Sequence, residues 1–449
     1  MVDGTVSSDV AIGREMYGWA RELFPVRRSL TGEGVRDTLR YLARIVPGLT
    51  MHEVPSGTSA FDWTVPDEWV LRDAFIADGE GNRIVDVNRN ILHVVGYSKS
   101  VDAVMTRAEL EPHLHCIPDM PDAIPYITKY YELGWGFCLA QRQRDALGEG
   151  PFHVVIDSVH SKGSLSYADI VLPGRETREI MLASYVCHPG MANNELSGPV
   201  VLAALGRWLS ARQDRRFTYR LLFGPETIGA IVYLSKHLEQ LRSSVDAGFV
   251  LTCVGDQRAW SLLQSPRADT LADRVAKHVL VARGVDFKTY DFLERGSDER
   301  QYCSPHVDLP VCSVMRSKYG TYPEYHTSLD DLSLVTAAGL AESFSVYREM
   351  IEVLEANETY IATQPCEPQL GRRGLYPGTG TRSSSFSVST LADLLAFADG
   401  SRDLIALAER IGRSAIDCAK TAADLVAAGL LDSVPSSTGT GHSQRKEPI

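Results

Sequence analysis

The pattern of apolar and polar positions between about residues 150 and 355 alternates short β-rich runs with longer helical ones. Seven short runs are nearly continuous in apolar residues, as strands of a sheet covered on both faces are. These predicted strands lie at 152–159, 164–172, 180–187, 217–224, 248–254, 287–293 and 309–315. Four segments between them carry apolar residues at three- and four-residue spacing, which predicts helices. These helices lie at 199–211, 227–241, 270–282 and 334–354. The alternation predicts an α/β fold.

The segments before this region have other patterns. Residues 12–46 show helical periodicity around an interruption at 29–32, and we expect them to pack on the core sheet. Residues 58–149 are rich in aromatic residues and proline, which predicts a separate, mostly β module. We therefore predict a core domain formed by residues 1–57 and 150–365, with the module of residues 58–149 inserted into it.

The C-terminal part begins with a linker rich in Gly, Pro, Arg and Ser at 371–385. Residues 387–435 are predicted to form three short helices, a spacing that suits a winged-helix domain over 370–435. Acidic side chains outnumber basic ones between 386 and 432, which favours packing or protein contact over DNA binding. The Ser/Thr/Gly-rich residues 436–449 are predicted to be a disordered tail.

Charge limits the class of partner. The chain has 45 basic and 57 acidic side chains and a formal net charge of -12. Binding to nucleic acid or to an anionic membrane is therefore disfavoured, and a small peptide or amide substrate fits better. A homo-oligomer is compatible with the sequence.

The first ten residues lack a secretory pattern, and no run is long and apolar enough to span a membrane. The eight cysteines show no CxxC pairing and mostly have apolar neighbours, as reduced core residues do. We expect a cytoplasmic protein.

Polar side chains follow three of the predicted strands. His188 follows the run at 180–187, Glu226 follows the run at 217–224, and Asp256 follows the run at 248–254. In an open α/β sheet, ligands bind in the crevice beyond the carboxyl ends of the strands. For each residue, a purely structural role is the alternative to ligand binding, because a His can cap the end of a strand and a carboxylate can cap the start of a helix.

A fourth polar position, His326, lies in a loop after the last predicted strand. Imidazole and carboxylate groups from separate loops form the nitrogen and oxygen set that Zn²⁺ takes, and Zn²⁺ activates water for hydrolysis. Asp330 or Asp331 would either orient a ligand imidazole or cap the next helix.

Anchor motifs of dinucleotide, P-loop and serine-hydrolase sites are absent. Cys187 is disfavoured as a nucleophile, because neighbouring strand residues point to opposite faces.

The order of these motifs resembles the co-catalytic zinc aminopeptidases, whose fold is a mixed sheet flanked by helices. Four longer phrases are similar to those of a bacterial family of aminopeptidase-like proteins, which carry an inserted β domain and a C-terminal winged helix. These phrases lie at 61–69, 187–198, 297–303 and 325–331. Members of that family often occur with polysaccharide or natural-product biosynthesis.

The resemblance implies a mixed, mostly parallel sheet and a metal site. The ligands that it implies are His188, Glu226, Asp256 and His326. The chain departs from the aminopeptidase pattern where it has Asn193 in place of a metal-bridging Asp and Pro225 in place of the general base. An amide bridges two cations poorly and proline moves no proton. We therefore predict one zinc ion rather than two. The base would then be another carboxylate, with Glu195, Asp298 and Glu299 as the candidates.

The leading hypothesis is a zinc-dependent, aminopeptidase-type hydrolase that cleaves an N-terminal or small-molecule amide, with the inserted domain closing over the substrate. A second hypothesis, which Asn193 and Pro225 motivate, is a catalytically silent aminopeptidase fold that serves as a binding or scaffold protein. A third is transcriptional regulation through the winged helix.

Overall fold

A computed structural model describes residues 3–375 and 382–434 of the chain. The chain divides into two units, which are described separately. One consists of Met1–Asp273 and Asp286–Tyr347, and the other consists of Arg274–Val285 and Arg348–Ile449. Within the described residues, no helix combines the length and apolar character that crossing a membrane requires.

The first unit begins with two helices and a strand: α1 (Asp3–Leu23), α2 (Glu33–Ile45) and β1 (Thr50–Pro55). Helix α2 buries Val35, Leu39 and Leu42, whose spacing places them on one face. Gly32 precedes this helix with φ 97°, a backbone conformation that glycine adopts readily. The two helices confirm the predicted helical segment and its interruption.

The segment that follows β1, most of which (58–149) was predicted to be an inserted module, supplies strands β2–β9 and helices α3 and α4. These elements are β2 (Ser59–Ala60), β3 (Trp63–Thr64), β4 (Glu68–Ala77), β5 (Arg83–Asp86), β6 (Val101–Met105), α3 (Arg107–Leu110), β7 (Leu114–His115), β8 (Phe137–Cys138), α4 (Gln141–Asp145) and β9 (Phe152–Ser161). Strands β5, β4, β9 and β6 form a four-stranded antiparallel sheet in that order.

The assignment of 152–159 to the core sheet was wrong. Strand β9 pairs with β4 and β6 in the smaller sheet. Its buried residues Phe152, Val154 and Ile156 alternate with the exposed His153 and the half-buried Asp157. That alternation is typical of a strand with one buried face, and the high apolar content of the run obscured it.

The core continues with β10–β16 and α5–α9. These elements are β10 (Ser164–Leu172), β11 (Glu179–Tyr185), α5 (Ser197–Ala211), β12 (Thr218–Gly224), α6 (Ile228–Ser244), β13 (Val245–Val250), β14 (Ser261–Leu263), α7 (Leu271–Ala282), β15 (Lys288–Tyr290), α8 (Glu299–Tyr302), β16 (Val311–Met315) and α9 (Ala337–Ala356). A π-helical turn, Ala192–Leu196, precedes α5.

The central sheet has eight strands in the order β1-β10-β12-β11-β13-β16-β14-β15. Strands β12, β11, β13 and β16 run parallel, and every residue of β11 and β12 is buried. Antiparallel pairings attach β1 to β10, β10 to β12, and β14 to β16. The carboxyl ends of four parallel neighbours therefore meet at one edge of a mixed sheet, where the predicted site residues follow them.

Besides most of α7 and the end of α9, the second unit contains a three-stranded antiparallel sheet in the order β18-β17-β19 and further helices. These elements are β17 (Thr359–Ala362), α10 (Arg382–Phe397), β18 (Asp399–Asp403), α11 (Leu404–Ile411), α12 (Ala415–Ala427) and β19 (Leu431–Val434). The side chains of Asp403 and Ser414 cap α11 and α12. Residues 436–449, the predicted tail, lie outside the described residues.

Candidate metal centre

Two of the other predicted ligands, Glu226 and His326, are neighbours of His188 at the carboxyl edge of the central sheet. His188 lies three residues beyond β11 and is 5% exposed. Its Nε2 is 3.5 Å from Oε2 of Glu226, and its ring centroid is 5.6 Å from that of His326. Two imidazoles and a carboxylate are ordinary Zn²⁺ ligands, so the donor set fits that ion.

Glu195 lies at the other ring nitrogen of His188. Its Oε2 is 2.8 Å from Nδ1. A carboxylate at this distance accepts the Nδ1 proton, so Nε2, which faces Glu226, is the nitrogen that is available to a cation. The structure therefore places Glu195, one of the predicted bases, where it orients His188.

Arg28 lies behind this pair and was missed by the sequence analysis. Its Nε donates to the main-chain oxygen of His188 at 3.2 Å and lies 3.9 Å from Oε1 of Glu195. Its Nη1 donates to the main-chain oxygen of Leu23 at 2.7 Å. Burial lowers the pKa of Arg28, and the negative charge of Glu195 opposes that effect. A buried guanidinium thus lies directly behind His188, the first of the candidate ligands.

Glu226 is held by the elements on both sides of it. Its Oε1 accepts a hydrogen bond from Oγ of Ser297 at 2.9 Å, and its N–H points to Sγ of Cys187 at 3.2 Å. The next residue, Thr227, has φ 63°, an unusual conformation for a β-branched residue. Burial raises the pKa of Glu226, and the neighbouring His188 opposes that rise. These contacts fix the direction of the carboxylate before any cation is bound.

His326 also has a positive φ, of 55°. The ring of Tyr325 stacks on it with centroids 3.9 Å apart. Burial and the proximity of His188 lower the pKa of His326 to about 3, so its imidazole is neutral near pH 7. A neutral imidazole is the form that binds a metal.

The two remaining base candidates lie at the start of α8. Oδ1 of Asp298 accepts a hydrogen bond from the N–H of Thr227 at 2.7 Å, beside Glu226. Burial, followed by the charge of Glu226, holds the pKa of Asp298 well above its usual range. Glu299 instead uses Oε1 to accept from the N–H of Gly296 and Ser297 and from the hydroxyl of Tyr319. Asp298 is thus the better placed of the two for proton transfer. Glu299 instead stabilises the loop that precedes α8.

Asp256 has a different set of contacts. Its oxygens accept from Nδ2 of Asn193 at 3.0 Å, from the N–H and Oγ of Ser317 at 3.0 and 2.9 Å, and from the N–H of Arg258 at 2.9 Å. Oδ1 of Asn193 accepts from the N–H of Gly255 at 2.8 Å. These bonds engage both residues with structural partners and do not support Asp256 as a fourth ligand. Strand β13 ends at Val250, earlier than predicted, so Asp256 lies well inside a loop.

A second grouping of ligand-type atoms involves the opposite side of His188. Sγ of Cys187, Nδ1 of His188 and a carboxylate oxygen of Glu195 lie within 4.8 Å of one another. The hydrogen bond between His188 and Glu195 already occupies Nδ1. Burial raises the pKa of the Cys187 thiol to about 11, which keeps it protonated near pH 7. The side of His188 that faces Glu226 and His326 is therefore the better metal candidate.

The inserted module contributes Tyr126 to the site. Its ring centroid lies 5.1 Å from that of His188 and 5.3 Å from that of His326, and its hydroxyl is 2.6 Å from the hydroxyl of Tyr130. The N–H of Tyr126 donates to the main-chain oxygen of His326, and Pro125 pairs with Thr327. In the sequence, only the aromatic character of residues 58–149 pointed to this segment, and nothing singled out Tyr126. The module thus forms a wall that is hydrogen-bonded to the His326 loop.

A cavity of about 330 Å³ lies beside Tyr126. It is lined in part by Arg28, Trp69, Tyr126, Tyr130 and Pro189. The three metal candidates themselves are not among its lining residues. The cavity and the candidate centre are therefore neighbours that share a wall.

Comparison with known proteins agrees with this architecture. Residues 17–357 match the family described as "Domain of unknown function (DUF4910)", and residues 358–433 match one described as "winged helix-turn-helix". A Clostridium acetobutylicum protein named "Putative polysaccharide biosynthesis protein with aminopeptidase-like domain" is 42% identical over 402 residues, which are 89% of this chain and 92% of that protein.

Two solved structures extend the comparison. A crystal structure from Clostridium acetobutylicum, described as a "putative peptidase", has a TM-score of 0.91 and 39% identity, and the match covers 96% of this chain and 99% of the other. A zinc aminopeptidase from Bacillus subtilis has a TM-score of 0.53 and 12% identity, with 76% of this chain and 94% of the other covered. At that identity the likeness shows the fold alone. The predicted fold class, an aminopeptidase-like α/β core with a C-terminal winged helix, is confirmed.

Proposed function

We propose that this chain, which belongs to the family described as "Domain of unknown function (DUF4910)", is a metal-dependent hydrolase. Its substrate would be a small or N-terminal amide. The observation that carries the proposal is the approach of His188, Glu226 and His326 at the sheet edge, with Glu195 holding the outer nitrogen of His188. A constellation of this kind, with one imidazole oriented by a buried carboxylate, is typical of metal ligation. Because the Clostridium acetobutylicum relative is named for polysaccharide biosynthesis, we place the amide in polysaccharide or natural-product biosynthesis.

His188, Glu226 and His326 would hold one zinc ion. When bound, zinc polarises a scissile carbonyl and lowers the pKa of water towards neutrality. Two hydrogen bonds, one from Ser297 to Glu226 and one from His188 to Glu195, would fix the directions of two of these ligands in advance. The engagement of Asn193 and Asp256 with each other supports a single ion.

Asp298 would handle the proton. Its Oδ1 is fixed by the N–H of Thr227, so the carboxylate is anchored beside Glu226 while Oδ2 remains to accept a proton from water and return it to the leaving amine. Pro225, which stands where the related enzymes have their base, moves no proton. The partly buried rings of Tyr126 and Tyr325 beside the two histidines limit the access of bulk water.

The test combines elemental analysis with hydrolysis of a panel of aminoacyl and N-acyl amides. The wild-type chain should bind about one equivalent of zinc and turn over at least one amide, and Glu226→Gln and His326→Ala should lose both properties. His153→Ala, a substitution of an exposed histidine on β9, is the matched control and should lose neither. A wild-type chain with no affinity for zinc would contradict the proposal.

A catalytically silent binding protein is the second candidate function. It is favoured by one observation: Asn193 and Asp256, at positions that the resemblance assigns to metal binding, are engaged with each other and with Gly255 and Ser317. A chain that is fully loaded with zinc but inert on the whole amide panel would support this candidate over hydrolysis.

A further inference from the structure

Arg300 is an exposed arginine beside the candidate metal centre. It is the second residue of α8 and lies in the phrase at 297–303, one of the four that carry the family resemblance. Its Nη2 donates to Oγ1 of Thr227 at 2.6 Å. Thr227 directly follows the candidate ligand Glu226, and its N–H donates to Asp298. The guanidinium is thus anchored one residue from a candidate ligand, while Arg300 remains open to solvent.

The hydrogen-bonding capacity of Arg300 is largely unused. A guanidinium has five N–H groups, and the bond to Thr227 occupies one of them. Within the part of the chain that the structure describes, Arg300 makes no further hydrogen bond and has no carboxylate at ion-pair distance. By contrast, the exposed Arg258 is bound by both carboxylate oxygens of Glu324. Arg300 therefore keeps N–H groups available to a ligand.

The charge of Arg300 acts on the centre itself. It interacts electrostatically with the carboxyl groups of Glu226 and Asp298 and with the phenol of Tyr325. The ring of Tyr325 stacks on His326, the second candidate histidine. An anion bound to Arg300 would therefore lie next to the reacting part of a substrate held at the metal candidate.

We propose that Arg300 binds a carboxylate of the substrate and thereby sets the substrate class. The inference rests on the proposed hydrolase function and deepens it: the substrate is an amide of an amino acid whose own carboxylate is free, such as a dipeptide or an N-acyl amino acid. Hydrolysis adds water across the amide C–N bond and releases the acyl group as an acid and the amino acid as an amine. Arg300 determines specificity, because it contacts the carboxylate and not the bond that breaks.

Two features favour a carboxylate on the leaving amine. Asp298, which returns the proton to that amine in the proposed mechanism, lies two residues from Arg300 and bonds to the same Thr227. A planar carboxylate also accepts two parallel N–H bonds from one guanidinium. A phosphate would bring roughly two negative charges to a place with one cation and the carboxyl groups of Glu226 and Asp298, so like charges would oppose it.

Support of Thr227 is the alternative role of Arg300. Thr227 has φ 63° and ψ -76°, and the bond from Arg300 helps to hold its side chain. In that role Arg300 would act through Glu226 and Asp298 on every substrate to the same extent. Ligands that differ only in their carboxylate separate the two roles, because only direct binding changes the ratio between them.

The experiment is a ligand-observed NMR titration with three pairs of probes: alanyl-alanine, leucyl-alanine and N-acetylphenylalanine, each with its carboxy-terminal amide. The full chain is titrated as purified, since any carboxylate bound directly to zinc contributes equally in wild type and variants. At least one carboxylate should bind more tightly than its amide by roughly tenfold or more, as expected for hydrogen bonds between charged groups. If no carboxylate binds more tightly than its amide, the proposal is overturned.

Three variants locate the binding site. Arg300→Met should abolish the preference for carboxylates, while Arg300→Lys should keep part of it, because an ammonium retains the charge and loses the planar fork. Arg300 is exposed, so neither substitution disturbs a buried contact. Arg402→Met in the second unit removes another exposed arginine, which pairs with Asp399, and should leave the preference as it is. A preference that survives Arg300→Met unchanged also overturns the proposal.

A cleaved pair of probes adds a kinetic measurement. Arg300→Met should raise KM for the carboxylate substrate by roughly tenfold and leave kcat/KM for its amide within about threefold of wild type. Equal losses on both substrates would assign Arg300 to the support of Thr227 and would overturn direct binding.

Failure of this inference differs from failure of the proposed function. A zinc-loaded chain that cleaves amides but binds carboxylates and their amides equally refutes the substrate class and leaves the hydrolase in place. A chain whose carboxylate preference depends on Arg300, but which neither binds zinc nor cleaves amides, refutes the hydrolase and leaves the anion site in place.

Discussion

Oε2 of Glu195 lies 2.8 Å from Nδ1 of His188, and this contact fixes which nitrogen of the imidazole is available to a cation. The pair is buried, with 1% of Glu195 and 5% of His188 exposed. A carboxylate in this position raises the basicity of the ligand nitrogen and holds the ring in place.

We therefore expect Glu195→Gln to weaken zinc binding roughly 10- to 100-fold, while the three ligands remain. Competition titration with a fluorescent zinc chelator measures the change. The control is Glu239→Gln, which alters an exposed side chain on α6 and should leave the affinity as it is. Unchanged affinity in the Glu195 variant would show that His188 does not bind the metal through Nε2.

Asp298 and Glu299 are neighbours whose contacts predict opposite outcomes. Asp298→Asn should retain zinc and lower kcat by about 100-fold or more, because the carboxylate beside Glu226 can no longer accept a proton. Glu299→Gln keeps an oxygen for Gly296, Ser297 and Tyr319, so it should preserve most of the activity. Steady-state kinetics on the best amide from the panel measures both, and the reverse ranking would assign the base to Glu299.

The central sheet contains a buried ion pair between adjacent strands. Arg220 on β12 contacts Glu179 on β11 at 2.6 and 2.9 Å and also donates to the hydroxyl of Tyr233 at 2.8 Å. Loss of one partner leaves an uncompensated buried charge, so Glu179→Ala should lower the free energy of unfolding by about 3 to 5 kcal/mol. Urea denaturation measures the loss. The double substitution Glu179→Met with Arg220→Met should cost less than Glu179→Ala alone, since no charge remains buried.

In the second unit, Asp403 accepts hydrogen bonds from Nη2 of Arg274 at 2.5 Å, from Nδ2 of Asn357 at 3.1 Å and from the N–H of Ala406 at 3.0 Å. Burial alone would raise the pKa of Asp403, but these bonds outweigh it and the pKa is lowered. Because the folded pKa is below the unfolded one, the stabilisation is complete above a pH of about 4 and is lost as pH falls through the folded pKa.

Asp403→Asn should accordingly destabilise the second unit by up to about 1 kcal/mol at pH 7, because the ion pair with Arg274 is lost while asparagine can still cap α11. The difference from wild type should shrink as pH is lowered towards 3 and below, because the wild-type carboxyl takes up its proton as pH falls through its lowered pKa. Chemical denaturation followed by circular dichroism at the two pH values measures this. A difference that does not depend on pH would mean that the charge of Asp403 contributes nothing.

The sequence predicted the positions of the candidate ligands that follow strand ends better than the residues that surround them. His188 and Glu226 come directly after apolar strands, so the carboxyl-edge rule places them together. Arg28 and Tyr126 belong to a turn between helices and to an irregular part of the insertion, where no periodicity reports which way a side chain points. Asp256 shows the limit of the same rule, because β13 stops at Val250 and the chain then leaves the strand direction.

The fold itself was predictable where apolar periodicity was unambiguous. The helices α5, α6, α7 and α9 and the strands β10–β12 and β16 follow their apolar patterns closely. The run at 152–159 is the instructive error, because a half-buried antiparallel strand and a fully buried parallel one differ in only a few alternating positions. The strands of the winged helix, at 399–403 and 431–434, are short and contain several polar residues, so they gave no apolar signal.

Backbone atoms join the predicted insertion to the loop that carries His326. The N–H of Tyr126 donates a hydrogen bond to the main-chain oxygen of His326, and Pro125 pairs with Thr327 beside it. Such bonds depend on the path of both segments rather than on the identity of their side chains. An insertion transplanted from a relative would therefore have to bring its own partner loop around His326, and a chimaera that exchanges only one of the two segments should lose the alignment of the ligands. In protein engineering, the predicted insertion and the His326 loop are therefore best exchanged together.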